Sequence, residues 1–169
     1  QNKNFIQLCL DSELSSELTL QPIKRFDLDS AIIFSDILLV PHALGQSVNF
    51  RENYGPSLGS FNSNLFADIN VDKFTNKLMP VYKAIEITRK KLNKQKSLIS
   101  FIGAPWTLLV YMLGLKIGKE EINLDRLNKK SIRLNEIINE LVKYLCVHIQ
   151  NQINAGADVV QIFDSWAGF

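Results

Sequence analysis

Cysteine is scarce in this chain. The two present among 169 residues, Cys9 and Cys146, lie far apart, and neither belongs to a C-x-x-C or metal-ligand spacing. A disulfide framework and a cysteine-built zinc site are therefore unsupported. Both thiols sit among apolar neighbours and are expected to be buried and free. Long hydrophobic runs are missing too. Stretches such as Ala31 to Phe34 and Ile37 to Val40 fall far short of the ~20 residues that cross a bilayer. The opening Gln1-Asn2-Lys3-Asn4 lacks the apolar centre of a signal peptide, so nothing argues for export and a cytoplasmic protein is expected. Nor does charge of one sign dominate: 19 Lys and Arg against 17 Asp and Glu leave a formal net charge of +2. The lysines, as in Lys90-Lys91 and Lys129-Lys130, lie along predicted helices as solvated faces. No basic stripe interleaved with aromatics points to nucleic acid. There is no G-x-G-x-x-G, no P-loop and no internal repeat, so a glycine-rich nucleotide cradle is unsupported.

What is present is a core. Hydrophobic residues make 46% and charged residues 21% of the chain, the balance of a soluble globular domain. Helix and strand signals alternate. Helices are predicted over about 4–10 and 15–22, with Leu14, Leu18 and Ile23 apolar, and Phe26 to Asp29 reads as a turn. Ala31 to Val40 is apolar and β-prone, interrupted only by Ser35 and Asp36, and Pro41 ends it. Ser47 to Phe50 and Tyr54-Gly55-Pro56 suggest a hairpin or irregular excursion. Asp72 to Asn93 reads as a helix with Val81, Ala84, Ile85, Thr88 and Leu92 on one face and Pro80 near its first turn. Ser97 to Ile102 is a second strand, followed through Gly103-Ala104-Pro105 by a short helix to about Leu113 that Gly114 closes. From about Leu124 to Asn154 the apolar positions Leu134, Ile137, Ile138, Leu141, Leu145 and Ile149 recur three and four apart, and Gly156 stops the helix. Val159 to Phe163 is a third strand.

Near-continuous apolar strands separated by amphipathic helices imply parallel βαβ units, with strands buried on both faces. The pattern alone does not separate an open doubly wound sheet from a (β/α)8 barrel. The chain also begins with Gln and stops just after a strand that lacks a covering helix, which reads as a piece of a longer protein.

Three polar clusters follow apolar strands or lie late within them: Ser35-Asp36, the segment from Gly103 to Tyr111, and Asp164-Ser165. Ligands gather at the carboxyl ends of parallel strands, so these clusters are aimed at one place. Asp36 is the sharpest. A carboxylate inside such an apolar run either caps a neighbouring loop or carries chemistry. Tyr111 either packs or lines the site. Ser165 is either a loop or helix cap or a ligand contact. Asp27 and Asp29 precede the first strand, at the opposite end, and read as turn formers. His42 and His148 have no partner at metal or triad spacing, and Trp106 and Trp166 either line a pocket or fill core.

The strings themselves are similar to a known family. Arg25-Phe26-Asp27-Leu28-Asp29-Ser30-Ala31 leading to Phe34-Ser35-Asp36-Ile37-Leu38 resembles the aspartate-bearing signature of uroporphyrinogen decarboxylases. Gly103-Ala104-Pro105-Trp106-Thr107-Leu108 with Tyr111-Met112 resembles a second signature. Ala155-Gly156-Ala157 with Gln161-Ile162-Phe163-Asp164-Ser165-Trp166-Ala167-Gly168 resembles a third. Glu17-Leu18-Thr19-Leu20-Gln21-Pro22 fits the helix before the first. Order and spacing agree along essentially the whole chain.

The resemblance implies part of a (β/α)8 TIM barrel, roughly strands 2 to 4 with their helices, residues 1–169 forming one partial domain. It implies a cytoplasmic homodimer whose substrate is the small molecule uroporphyrinogen, with no metal or organic cofactor and no nucleic-acid or membrane partner. Asp36 would be the catalytic residue, accepting hydrogen bonds from the pyrrole N–H groups, and Tyr111 and Ser165 would contact substrate. The family binds the substrate's carboxylates with arginines on an earlier segment and uses a histidine on a later one. Neither segment is present, and Arg25 and Arg51 do not match those positions. This fragment alone is therefore expected to be inactive. Two other readings stay open: a cobamide-dependent methyltransferase of the same fold, which needs His and Cys zinc ligands near the barrel mouth, and a tetrapyrrole-binding module without catalysis, which would not need Asp36.

Overall fold

The first helices are set by their caps. A computed structural model of the chain describes residues 4–51, 53–62, 64–116, 121–123, 127 and 133–168. Asn4 accepts the Gln7 N–H and Gln7 answers the Asn4 N–H, a reciprocal box that opens α1 (Phe5–Cys9). Asp11 accepts the Leu14 N–H at the start of α2 (Ser12–Phe26). That helix runs past the expected stop at Pro22 and ends at Asp27 in the left-handed region, φ 48°.

The apolar run from Ala31 to Val40 is not one strand. β1 covers only Ser30–Ile32. Ile33 still donates to the Ile99 carbonyl at 2.9 Å, and then the chain leaves the sheet. Leu39–Leu44 forms a helix, α3, whose Leu39, Val40, Pro41, Ala43 and Leu44 are all buried. A helix apolar all round has no polar stripe to reveal its period, so the run looks the same as a buried strand. Pro41 lies in the first turn of α3, where its missing N–H has no helical partner to lose.

The expected hairpin is β2 (Val48–Arg51) paired antiparallel with β3 (Gly55–Leu58). After the short α4 (Leu65–Asp68), α5 (Val71–Lys91) is capped by Asn70 and buries Phe74, Leu78, Val81, Ala84 and Ile85. Pro80 sits in its middle, not in its first turn. Next come β4 (Ser97–Gly103), α6 (Pro105–Met112), α7 (Leu134–Asn154) and β5 (Val159–Phe163). Most of the expected beginning of the long helix, 124–126 and 128–132, lies outside the described residues.

β1, β4 and β5 form a parallel sheet with β4 in the centre. Helices α2, α5 and α7 pack on one face, where Ala31, Leu98, Ser100 and Ile102 are buried. The opposite face carries the row Ile32, Ile99 and Val159 in register, with Phe101 and Phe163 beyond it. Ile32 is 59% exposed and Phe163 is 42% exposed, so this apolar face is bare among the described residues.

Candidate active site

All three expected residues follow the carboxyl ends of the sheet strands. The loop after β1 is held by α2. The Phe34 N–H donates to the Thr19 hydroxyl at 2.8 Å, and the Phe34 carbonyl accepts from the Ser15 hydroxyl at 2.6 Å. Ser15 and Thr19 are buried. They replace the sheet pairing that Phe34 gives up, which frees the next residues to turn. Asp36 Oδ1 then accepts the Leu38 N–H at 2.7 Å, the bond of a loop cap. Among the described residues nothing donates to Oδ2.

Gly103 admits this loop to the end of β4. A Cβ there would lie 3.2 Å from Ile37 Cβ and 2.8 Å from Leu108 Cδ2. A methyl group at this position would push the neighbour of Asp36 away.

Tyr111 is half-buried on α6, and the end of that helix is tethered. Gln46 Nε2 donates to the carbonyls of Gly59 at 2.8 Å and Met112 at 2.9 Å, joining the end of the hairpin to the residue after Tyr111. The other end of α6 grips the turn after β5. Trp106 Nε1 donates to the Trp166 carbonyl at 2.9 Å. The Thr107 hydroxyl donates to Asp164 Oδ1 at 2.8 Å and accepts the Trp166 N–H at 3.3 Å. Ser165 stands exposed between the two gripped residues.

Electrostatics ties the cluster together. Burial holds the Asp36 carboxyl above the usual carboxylate range, and the Leu38 N–H offsets this in part. Its charge is felt on two sides. Burial pushes the Cys9 thiol up to about 12, with a further push from Asp36. The Tyr111 phenol is raised by burial first and then by Asp36, while Trp166 pulls the other way. Tyr111 and Trp166 meet edge to face, with ring centroids 6.4 Å apart, and the Lys116 ammonium lies 5.9 Å from the Trp166 centroid. Asp36 is thus coupled to Tyr111, and Tyr111 reaches the Ser165 turn through Trp166. Among the described residues no hydrogen bond joins Asp36, Tyr111 and Ser165 directly.

The bland assignments fall elsewhere. His148 is buried 3.0 Å from the Tyr82 hydroxyl, and burial pushes its imidazole down to about 4. Asp27 pairs with Lys96 at 2.8 Å at the opposite end of the sheet, as a turn former there should. Cys9 is buried and free, but Cys146 is exposed on α7, contrary to expectation. Its apolar sequence neighbours face the core from adjacent helical positions, and the 3.6-residue period turns Cys146 outward. Among the described residues no three His, Cys, Asp or Glu side chains gather as a metal-binding set. Ser15 and Thr19 escape a sequence reading because hydroxyls on helices carry no periodic signal, and Thr107 is marked there only as part of the segment from Gly103 to Tyr111.

The family model for uroporphyrinogen decarboxylase (URO-D) matches residues 1–169. The chain belongs to the uroporphyrinogen decarboxylase family. A uroporphyrinogen decarboxylase of Orientia tsutsugamushi is 49% identical over 167 residues, which is 98% of this chain and 48% of that protein. One from Rickettsia bellii is 47% identical over 171 residues, 98% of this chain and 49% of that protein. The chain therefore spans about half the length of the decarboxylases it matches. A methyltransferase from Methanosarcina mazei superposes with a TM-score of 0.74 at 18% identity, covering 95% of this chain and 48% of that one. That likeness concerns fold alone. With the family match, the parallel sheet and its one-sided helices are part of a (β/α)8 barrel.

Proposed function

We propose that residues 1–169 are a partial barrel domain of an enzyme that decarboxylates the four acetate side chains of uroporphyrinogen III to give coproporphyrinogen III. Family membership supports the reaction. The observation that carries the site is the half-used carboxylate of Asp36: Oδ1 is fixed by the loop, and Oδ2 is left to accept.

Decarboxylation of an acetate needs an electron sink. Protonation of a pyrrole carbon makes the ring cationic. The bond between the acetate methylene and its carboxylate then breaks, CO2 leaves, and the electron pair enters the ring as an exocyclic double bond. A proton adds to that methylene as the ring carbon gives one up, leaving a methyl group. Asp36 accepts from the pyrrole N–H groups and stabilises the positive charge where it develops, with no reorganisation at that moment. No metal or organic cofactor has a step in this scheme. Tyr111 and Ser165 contact the substrate. The working protein is a cytoplasmic homodimer without nucleic-acid or membrane partners. No described helix is long and apolar enough to cross a membrane.

The test uses a full-length protein carrying this segment, incubated anaerobically with uroporphyrinogen, the products being separated by carboxylate number. Stepwise loss of four carboxyl groups is expected, with Asp36→Asn slower by about 10²–10³. Activity should fall as pH drops through the raised pKa of Asp36, above the usual carboxylate range. Folded wild-type protein that binds substrate but converts none would sink the decarboxylase reading in favour of a binding module.

A further inference from the structure

We propose that Thr107 is a positioning residue for this reaction, holding the turn that presents Ser165 at the mouth of the site. The role rests on the decarboxylase reading above. Thr107 is fully buried in the first turn of α6, and both capacities of its hydroxyl are spent on the two residues that flank Ser165. It donates to Asp164 Oδ1 at 2.8 Å and accepts the Trp166 N–H at 3.3 Å. Trp106, its neighbour, takes the Trp166 carbonyl at 2.9 Å. Two consecutive residues of one helix therefore fix the backbone on one side of Ser165 and the carboxylate on the other, while Ser165 itself stays exposed.

The same helix carries Tyr111, whose ring meets Trp166 at 6.4 Å. The helix α6 thus sets the separation between two substrate contacts, one on itself and one on a turn it grips. Hydrophobic packing holds that turn only through Trp166, since Asp164, Ser165 and Ala167 are all exposed. At the third position of α6 the Thr107 hydroxyl has no helical carbonyl four residues back to bond, and it turns to the segment after β5 instead.

Thr107→Val is nearly the same size and removes both bonds. It is to be compared with Thr107→Ser, which keeps the hydroxyl, in a full-length protein carrying this segment. Three readouts apply: the amide exchange rate at Trp166, kcat and KM for uroporphyrinogen, and a double-mutant cycle with Ser165→Ala. Exchange at Trp166 should rise about tenfold or more in the valine variant. Its kcat/KM should fall by about 10- to 100-fold, with the serine variant near wild type. The losses from Thr107→Val and Ser165→Ala should not multiply, since one acts through the other.

A valine variant with kcat/KM within about twofold of wild type overturns the role, and so does a cycle in which the two losses multiply fully. Should the valine variant fail to fold, Trp106→Phe, which removes only the bond to the Trp166 carbonyl, enters the same cycle with the same expected coupling. An inactive wild type with a protected Trp166 amide would sink the decarboxylase reading and the role together. An active wild type with an indifferent Thr107→Val would sink the role alone.

Discussion

Phe34 has both backbone groups taken by hydroxyls of a single helix, an arrangement that decides where Asp36 stands. Thr19 accepts the Phe34 N–H and donates to the Ser15 carbonyl at 2.8 Å, and Ser15 donates to the Phe34 carbonyl. Thr19→Val would leave a part-buried N–H without a partner, at a cost of about 1–3 kcal/mol. In a full-length protein carrying this segment, chemical denaturation should register that loss and kcat should drop with it, while Thr19→Ser restores both. Unchanged stability in the valine variant would mean the loop is held by packing alone. Asp36 stood out in the sequence as a carboxylate inside an apolar run, and its loop-capping role is seen in the bond from the Leu38 N–H. Ser15 and Thr19 did not stand out, and Thr107 was marked only as one member of the segment from Gly103 to Tyr111. Each looks like an ordinary helical hydroxyl until a distant segment comes within reach of it.

At the scale of elements, the pairing of α5 with α7 contains a buried polar contact. Tyr82 meets His148, with the ring centroids 5.5 Å apart, and burial pushes the Tyr82 hydroxyl up to about 12 and His148 down to about 4. Above the ordinary histidine value of 6.5 the imidazole is neutral in folded and unfolded chains alike, and the contact is fully present. As pH falls below that, the unfolded chain takes up a proton that the folded one refuses, and stability is lost until about pH 4. The loss amounts to about 3 kcal/mol. Denaturant midpoints of the full-length protein between pH 7 and pH 4 should decline more steeply than those of His148→Gln. Parallel slopes would show that His148 is not the group being titrated.

The long helices α5 and α7 were legible in the sequence, because each shows one apolar face, and α2 was legible in place but not in face: it buries Ser15, Ser16, Thr19 and Leu20 and leaves Leu14, Leu18 and Ile23 half-buried. The division of residues 31–40 into a strand, a turn and a helix was not. Burial on all sides erases the period that tells those states apart. For the same reason the sequence pattern left open sheet and barrel undecided, and the family resemblance chose between them.

For the whole molecule, the telling feature is the uncovered side of the sheet. Ile32, Val159 and Phe163 are exposed beside Ile99 and Phe101, and Ile162 is exposed on the helix side of β5. β1 and β5 are both edges among the described residues. Contiguous apolar surface of this kind favours association over solution. The isolated 169-residue chain should bind a hydrophobic dye, sediment as aggregate and lack decarboxylase activity. A soluble monomer of that chain with one sharp unfolding transition would show that the bare face is tolerated. The opposite end of the sheet is better secured. Asp158 accepts both Arg89 at 2.8 Å and the Leu98 N–H at 2.7 Å, and Lys96 pairs with Asp27.

Gly103 gives the site a mechanical adjustment. A single hydrogen atom there is the spacer between the sheet and the segment bearing Asp36, and a Cβ would oblige Ile37 to yield by a few tenths of an ångström and Leu108 to shift. A methyl group at this spacer would press on Ile37, the neighbour of Asp36, and on Leu108 of α6 at once, so one substitution gauges how closely the loop after β1 and the helix after β4 must approach.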